Sequence, residues 1–407
     1  MANNQQFFGW RLVGLAIISQ AFQAGLLIYC FGIFALAFES QFDASREQIM
    51  WCASLLSVST NILSPFMGFR IDKQSVRSLM FVGAACMALG MLVLGTASNI
   101  MFAWLVFALV LPFCHLLLGH MPTSALITRW FVVHRGKAMG IAAVGTSIGA
   151  LIFPNLLTYL LENHGYFAAF ATIALLAVVV LNPAIWKLAI DRPSDVDQFP
   201  DGNSAVQDQS ATTNDSIEYS VKQILTAPRF WLVTAVTGLV LSCYIALLNN
   251  LVLHATDKGM STALAASLIS TIALVGIGGK IVFGFIADKV DLRIALLIAI
   301  ILMCVGIGVL MIAEVYSTFL VAGVMLGLAA GSMLPVWSAM VAKCFGMKSF
   351  GRAFGLMNPA MTPFTAFTSP FAGWVFDTTG SYQMAFIGFI AILALAAILM
   401  AFIRWDR

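Results

Sequence analysis

Charged side chains are scarce in this sequence. Only 10% of its 407 residues are Asp, Glu, Lys or Arg, whereas 61% are hydrophobic. A soluble globular protein carries about 25% charged residues, and a water-facing surface cannot be built from so few. The composition therefore excludes an ordinary soluble domain and indicates that a lipid bilayer surrounds most of the chain.

Several chemical signatures are also missing. Ser, His and acidic residues are not arranged for acyl transfer, no phosphate-binding loop is present, and no metal-ligand spacing such as His-Glu-x-x-His occurs. The seven cysteines fall in or beside apolar runs and are interpreted as small hydrophobic side chains. We therefore expect no enzyme, no cofactor and no ATP-driven step, which leaves a process driven by a gradient.

Long apolar runs, in contrast, are abundant. Twelve runs are close to or above the roughly 20 residues that a spanning helix needs. They are continuous rather than alternating, which favours helices over a β-barrel. The predicted fold class is an all-α membrane protein with twelve transmembrane helices. The approximate spans are 9–37, 48–69, 76–97, 100–126, 136–160, 166–190, 229–254, 262–287, 292–313, 316–342, 351–375 and 382–403.

Positive charge is distributed unevenly about these spans. If the spans alternate in direction, 18 of the 21 Lys and Arg residues lie on one side, Arg46 and Lys258 lie on the other, and Lys280 lies within a span. Cytoplasmic loops are enriched in Lys and Arg, so both termini are predicted to be cytoplasmic. Because the net charge of +3 has this topological origin, it does not indicate binding to nucleic acid.

A polar, acidic stretch separates the sixth span from the seventh. Residues 191–226 are poor in aromatic side chains and are predicted to form a flexible or weakly helical cytoplasmic linker. The predicted organisation is an N-terminal six-helix half (1–190), the linker (191–226) and a C-terminal six-helix half (227–407).

The two halves repeat each other. The sequence "GFRIDK" at Gly68–Lys73 recurs as "GFIADK" at Gly284–Lys289, 216 residues later, and "HRGKAMG" recurs in outline as "SFGRAFG", 215 residues later. Pro154 matches Pro370 at the same offset of 216. Two six-helix halves in the same orientation are typical of transporters whose substrate site lies between the halves near the membrane midplane.

These motifs resemble those of the major facilitator superfamily. Its Gly-x-x-x-Asp-Arg/Lys signature, with a basic residue soon after, is present as Gly68, Asp72, Lys73 and Arg77, and a degenerate copy as Gly284, Asp288, Lys289 and Arg293. A narrower resemblance is to the monocarboxylate porters and oxalate/formate exchangers. It is carried by "YCFGIFALAFESQFDASREQIMW", "TRWFVVHRGKAMGIA" and "LVLHATDKGMS".

The superfamily resemblance implies that the repeated motif takes part in gating. Asp72 is expected to dock on the start of the eleventh span when the carrier is open to the outside, and Asp288 on the start of the fifth, because an acidic side chain interacts favourably with a helix N-terminus. The alternative is a solvated loop that only fixes topology. The candidate gating residues are Gly68, Asp72, Lys73, Arg77, Gly284, Asp288 and Lys289.

Lys280 lies inside the eighth span. A lysine at mid-span costs about 2.5–3.5 kcal/mol on insertion scales, and none of the 18 acidic residues falls at mid-span. An unpaired buried ammonium either loses its proton or is completed by an anion. The monocarboxylate-porter resemblance implies a substrate-binding arginine here, and lysine keeps that charge without the bidentate fork. We therefore predict that Lys280 binds the substrate; the alternative is that its side chain extends to the cytoplasmic surface.

Other polar side chains within the spans are further candidates for substrate contacts. Each alone is more often involved in hydrogen bonds between helices than in binding substrate, but as a set they predict a small, mostly apolar cavity. His115 and His120 lie about 140° apart around an ideal helix, and His115, the deeper of the two, is expected to face the cavity and to be able to carry a proton. The candidates are Tyr29, His115, Asn249, Asn250, Ser338 and Asn358.

The leading functional hypothesis is a secondary transporter in the plasma (inner) membrane, surrounded by lipid, that moves a small organic anion. A monocarboxylate carried together with a proton is preferred, because the eleventh span has no Lys or Arg beyond Arg352 at its start. An exchanger of the oxalate/formate kind is the alternative. The resemblance to that branch implies a second cation in this span, which this sequence lacks beyond Arg352. A membrane sensor that has lost transport is a remote third hypothesis.

Overall fold

The computed structural model describes residues 7–132, 134–202 and 219–403. Eleven of the described helices are long and apolar enough to cross a membrane. The segment 347–379 is also helical and completes the twelve spans predicted from the sequence. The predicted fold class, an all-helical membrane protein, is confirmed.

The first six spans form the N-terminal half. Helix α2 begins with a capping box, in which Ser45 and Gln48 each accept a hydrogen bond from the other's backbone N–H. The spans are α1 (Gly9–Ala24, continued by a π-helical turn at Gly25–Tyr29 and by Phe31–Phe42), α2 (Arg46–Lys73), α3 (Val76–Thr96), α4 (Ile100–Leu109, Leu111–Leu118 and His120–Trp130), α5 (Arg135–His164) and α6 (Tyr166–Leu176, Ala177–Leu181 and Asn182–Leu188).

The C-terminal half contains six further spans. They are α7 (Pro228–Asp257), α8 (Thr262–Lys289), α9 (Leu292–Met311), α10 (Tyr316–Gly346), α11 (347–379) and α12 (Gln383–Ala401). Helical structure continues between α10 and α11, where the sequence predicted a gap, and it is kinked at Gly346. The φ of 71° at Gly346 lies in the left-handed region, which glycine adopts without a Cβ penalty.

Helix α4 is not the continuous helix predicted over 100–126. It breaks at Gly119, whose backbone is extended (φ −79°, ψ −154°). Pro122 has no N–H to give to the carbonyl of Leu118 four residues earlier, and the hydroxyl of Ser19 on α1 donates to that oxygen instead, at 2.6 Å. The break therefore depends both on Pro122 within the helix and on Ser19 of α1, and it separates His115 from His120.

The two ends of the bundle are named here by their residues. The linker face is the end at which α1 begins, at Gly9, and α12 ends, at Ala401; the Arg46 face is the opposite end, where α2 begins. The charge distribution predicts that the linker face is cytoplasmic, and this orientation stays a prediction.

The halves pack on each other through α2 with α11 and through α5 with α8. Between described residues, the hydrogen bonds that join the halves extend from the Arg46 face as far as Asn61 and Lys280. Nearer the linker face, a Cβ added at Gly68 or at Gly355 would meet no atom within 4 Å. The described contacts thus close the boundary at the Arg46 face and leave it more open at the linker face.

The linker is described only at its two ends. It begins with short 3-10 turns at Pro193–Val196 and Pro200–Gly202, and the Asp201 carboxylate accepts two backbone hydrogen bonds from the loop between α4 and α5. It ends in the helix Val221–Thr226, just before α7. Residues 203–218, the middle of the predicted flexible linker, lie outside the described residues, and the division into domains stays a prediction.

Candidate functional site

A cavity of about 300 Å³ lies between the two halves. Helices α1, α2 and α4 line it from the N-terminal half, and α7 and α11 from the C-terminal half. Its walls are mainly aliphatic, with hydroxyl, amide and imidazole groups between them. The lining residues are Leu27, Ile28, Phe31, Ala53, Leu56, Ser57, Thr60, Asn61, His115, Leu241, Ile245, Asn249, Asn358, Met361 and Thr365.

Three of the polar side chains singled out in the sequence line this one cavity. His115 is half-buried, and its Nδ1 lies 2.9 Å from the amide nitrogen of Gln23 on α1. The amide of Asn249 on α7 donates to the Ser369 hydroxyl on α11 at 3.1 Å. Asn358, on α11, completes the set. The predicted small and mostly apolar cavity is therefore present, with contributions from both halves.

The other three predicted polar residues do not line this cavity. Tyr29 ends the π-helical turn of α1 and is half-buried. Asn250 is 2% exposed, and its amide donates to the carbonyl of Ala246 within its own helix. Ser338 lies on α10 and is half-buried. The neighbouring Trp337 stacks on Phe354 with ring centroids 4.3 Å apart.

Four polar residues of the cavity lining were not identified from the sequence. Ser57, Thr60 and Asn61 lie on one face of α2, and Thr365 faces them from α11. Asn61 donates to the Thr362 hydroxyl at 2.8 Å, so this wall joins the two halves. The available signal was the spacing of three and four residues between polar side chains on a mainly apolar helix. Thr60 is of particular interest because its buried hydroxyl has no partner among the described residues.

Lys280 lies at the boundary between α8 and α5. Its side chain is half-buried, and its Nζ lies 3.3 Å from the hydroxyl oxygens of both Thr146 and Ser147. No carboxylate of the described residues lies within salt-bridge distance of it. The ammonium thus bridges the two halves through neutral groups alone, and Lys280 is not in the lining of the cavity.

Arg46 lies at the boundary between the halves too, at the Arg46 face, and its surroundings differ from those of Lys280. It is 5% exposed, and its guanidinium makes a bidentate pair with Asp257, in which Nη2 to Oδ1 is 2.6 Å. Glu39 lies 3.3 Å away, and the Tyr382 hydroxyl accepts a hydrogen bond at 3.0 Å. The ring of Phe376 covers the guanidinium at 3.8 Å. This arrangement joins α2 to α7 and α12.

A second charged contact reinforces this closure. The carboxylate of Asp377, at the end of α11, accepts hydrogen bonds from the backbone N–H groups of Arg46 and Glu47, at 3.1 and 2.8 Å. It therefore caps the start of α2 from the other half. Gly373 allows the close approach, because a Cβ there would lie 2.8 Å from the Arg46 backbone.

The candidate gating residues lie toward the linker face. The Nζ of Lys73 lies 4.1 Å from the ring centroid of Phe69, and the guanidinium of Arg77 donates to the carbonyl of Trp186 at 2.9 Å. Gly68 has open space beside it. The side chain of Asp72 and the side-chain surroundings of Gly284, Asp288 and Lys289 lie outside the described part of the structure. The gating roles therefore stay a prediction.

The site provides hydrogen bonds and one cation, and in the described part of the chain no group of three or more His, Cys, Asp or Glu residues could hold a metal. Such an arrangement can bind a small molecule between the two halves.

Comparison with known proteins defines the class. The sequence matches the Major Facilitator Superfamily over residues 17–303 and 279–407. This chain belongs to the major facilitator superfamily, and it is a multi-pass membrane transporter rather than an enzyme.

Its curated relatives are distant. Monocarboxylate transporter 13 of Rattus norvegicus is 25% identical over 93% of this chain and 85% of its own length. Monocarboxylate transporter 12 of the same organism is 24% identical over 98% and 85%. The uncharacterized MFS-type transporter YhjX of Escherichia coli is 22% identical over 87% and 85%. The resemblance to monocarboxylate transporters predicted from short motifs is thus found over most of the chain.

A solved structure has the same fold. The bacterial homologue of the human lysosomal transporter Spinster, in an inward-facing and unoccupied conformation, aligns with a TM-score of 0.72. The alignment covers 98% of this chain and 97% of that one at 14% sequence identity. This similarity concerns the fold alone.

Proposed function

We propose that this protein is a secondary transporter of a small monocarboxylate, moved by proton symport, and that Lys280 binds the carboxylate. One observation carries the proposal: Lys280 is half-buried between the halves, and its ammonium has two neutral hydroxyls as its partners among the described residues. A cation in such a place favours an anion that completes its coordination. The distant similarity to monocarboxylate transporters supports the same substrate class.

The cavity is suited to the rest of such a molecule. Its aliphatic walls fit a short apolar body, and its polar groups from α2, α4, α7 and α11 can orient a hydroxyl or keto group. None of the described lining residues is Lys or Arg. A second carboxylate would therefore find no cation there, which favours a substrate with one negative charge.

The coupled proton has two candidate carriers. His115 lines the cavity, and histidine is a side chain that can carry a proton; Lys280 can instead take up the proton together with the anion. His115→Gln should reduce uptake driven by a pH gradient more than it reduces exchange if His115 is the carrier. Equal losses in both modes would assign His115 to the contact with Gln23.

The transport cycle is proposed to alternate between two closures. The linker face is taken as cytoplasmic, so the described conformation is inward-facing. Asp72 and Asp288 are proposed to close the linker face by docking on the starts of α11 and α5. A cysteine placed in the linker and labelled from outside intact cells would contradict this orientation.

The experiment that tests the function uses the purified protein in liposomes. Labelled acetate, pyruvate and lactate are offered with and without an inside-alkaline pH gradient, and counterflow is measured in parallel. We expect concentrative uptake of at least one monocarboxylate that a protonophore abolishes. Counterflow without net uptake would identify an exchanger of the oxalate/formate kind, and neither activity would favour the sensor hypothesis.

A further inference from the structure

The surroundings of Lys280 on α5 point to a step of the cycle that involves no substrate. We infer that Thr146 and Ser147 are positioning residues, which hold the Lys280 side chain while the site is empty and so allow the empty carrier to return. This inference rests on the proposed function, because it assumes that a carboxylate binds Lys280 in the loaded state.

The contact joins the two moving bodies directly. Lys280 belongs to the C-terminal half, whereas Thr146 and Ser147 belong to the N-terminal half, and both hydroxyl oxygens lie 3.3 Å from Nζ. Ser147 is 2% exposed, so its hydroxyl lies inside the protein rather than at its surface. These are the contacts of the ammonium among the described residues, and both are on one helix.

The backbone on each side of this contact is fixed by close helix packing. On α8, a Cβ at the facing Gly331 of α10 would lie 2.6 Å from the backbone nitrogen of Lys280, so the two helices touch at this point. On α5, Gly145 and Gly149 pack equally closely on α1, with added Cβ atoms only 2.4 and 2.1 Å from backbone oxygens. The lysine side chain can therefore move while both backbones stay fixed within their own halves. Its hydrogen bonds to Thr146 and Ser147 depend on the position of one half relative to the other.

The chemistry of hydroxyls suits this role. A hydroxyl accepts a hydrogen bond from an ammonium and can donate one to a neutral amine. The Thr146 hydroxyl donates to the carbonyl of Ala143 at 2.9 Å, so it can accept a hydrogen bond from the ammonium. The Ser147 hydroxyl can accept from the ammonium or donate to the neutral amine, so it can satisfy Lys280 whether or not the lysine keeps its proton after the anion leaves. A carboxylate at this place would hold the ammonium permanently as an ion pair and would compete with the substrate for it.

The consequence distinguishes two modes of transport. During exchange, the lysine crosses with a carboxylate bound in both directions, so the hydroxyls are not needed. During net transport, one crossing is made with the site empty, and the lysine then depends on Thr146 and Ser147. Loss of these hydroxyls should therefore slow net transport selectively.

The test compares the double variant Thr146→Val, Ser147→Ala with the wild type in liposomes, using labelled pyruvate, or lactate if pyruvate is not carried. We expect net uptake to fall by about tenfold, the ratio that corresponds to about 1.4 kcal/mol, and counterflow to change less than about twofold. Thr146→Ser, which keeps a hydroxyl, should retain most of the net uptake.

The matched control is Thr158→Val on the same helix. The Thr158 hydroxyl is also buried, at 2% exposure, but it has no partner among the described residues. This variant should leave the ratio of net uptake to counterflow unchanged. The single variant Thr146→Val is measured as well, so that a folding defect of the double variant does not decide the result.

Two results would overturn the inference: an equal loss of net uptake and counterflow in a correctly folded variant, or no change in either. Lys280→Gln separates this outcome from failure of the proposed function. If that variant transports normally, the carboxylate is bound elsewhere and the proposed function is wrong; if it is inactive while the hydroxyl variants show no selective loss, only the inference about Thr146 and Ser147 is wrong.

Discussion

Arg46 and Lys280 are both cations at the boundary between the two halves, and their surroundings differ sharply. Arg46 is 5% exposed and is met by Asp257, Glu39 and the Tyr382 hydroxyl. Lys280 is half-buried and is met by two neutral hydroxyls, each 3.3 Å away. The first cation is neutralised by the protein itself, whereas the second has no carboxylate partner within the part of the chain that the structure describes.

This difference assigns different roles to the two residues. Removing one partner of a buried charge pair with good geometry strongly destabilises the folded arrangement. We therefore infer that the Arg46 cluster holds the Arg46 face closed. The planar guanidinium suits such a fixed, bidentate contact, while the flexible lysine side chain suits a partner that arrives and leaves. The comparison therefore supports Lys280 as the substrate cation.

The largest effect is expected at Lys280. Lys280→Gln removes the charge and should abolish saturable carboxylate uptake, since losing one member of a buried charge pair costs about 2–5 kcal/mol of binding. Lys280→Arg keeps the charge and should retain part of the activity. Uptake in liposomes at matched protein content measures both. Normal uptake by the glutamine variant would contradict the proposal that Lys280, unlike Arg46, binds the substrate.

A smaller effect is expected at the Arg46 cluster. Asp257→Asn leaves Arg46 without its bidentate partner and should weaken the closed Arg46 face by about 3 kcal/mol or less, since the Asp257 side chain is 27% exposed. A cysteine placed at Ala53, in the cavity lining, should then react faster with an impermeant reagent applied from that face.

The control for this variant is an exposed ion pair on the same face. Lys258 and Glu314 lie 2.7 Å apart, but Glu314 is 70% exposed, and exposed pairs contribute about 1 kcal/mol at most. Glu314→Gln should leave the labelling rate at Ala53→Cys unchanged. Equal acceleration by both variants would show that general loosening, rather than the Arg46 pair, controls the closure.

The cap on α2 should contribute less again. Asp377→Ala removes the acceptor for two backbone N–H groups and should cost about 0.5–2 kcal/mol. Asp377→Asn keeps one acceptor oxygen and should have a weaker effect. The same labelling assay ranks the variants, and a stronger effect of the asparagine variant would contradict a capping role.

The smallest effect is expected at the ends of α2 and α11 that lie toward the linker face. Asp377 at the end of α11 caps the start of α2, and Asp72 at the end of α2 is proposed to dock on the start of α11 when the linker face closes. Asp72→Asn should slow transport by roughly two- to fivefold, the range that corresponds to a charge at a helix terminus, without changing the apparent affinity. An unchanged maximal rate at equal expression would contradict the proposed docking of Asp72 on the start of α11.

Much of the fold could be predicted because its determinants are local or repeated. Apolar run length gave the twelve spans, and the copy of Gly68–Lys73 at Gly284–Lys289 indicated the two halves. The absence of an acidic residue at mid-span identified Lys280 as unpaired. The prolines of α4 were visible too, yet the break at Gly119 depends on Ser19 of α1, which satisfies the carbonyl that Pro122 leaves free.

The missed features depend on contacts between distant parts of the chain. Thr146 and Ser147 are more than 130 residues from Lys280 in sequence, and no local pattern connects them. Arg46 was recognised only as one of two cations on its side, because Asp257, Phe376 and Asp377 approach it only after the halves assemble. Asn250 shows the opposite kind of error. It was predicted to contact substrate because it is polar and lies within a span, but its amide donates to the Ala246 carbonyl of its own helix.

The central claim, that the Lys280 ammonium binds the substrate carboxylate, is tested most directly by ligand-induced thermal stabilisation of the purified protein. Acetate, pyruvate and lactate are compared with lactamide, an uncharged analogue of lactate, for the wild type and for Lys280→Gln. A ligand at 100 times its Kd stabilises a protein by about 2.7 kcal/mol. We predict a saturable rise in Tm for the wild type with at least one carboxylate, none with lactamide, and none for Lys280→Gln. Equal stabilisation of both proteins by the carboxylate would contradict the claim.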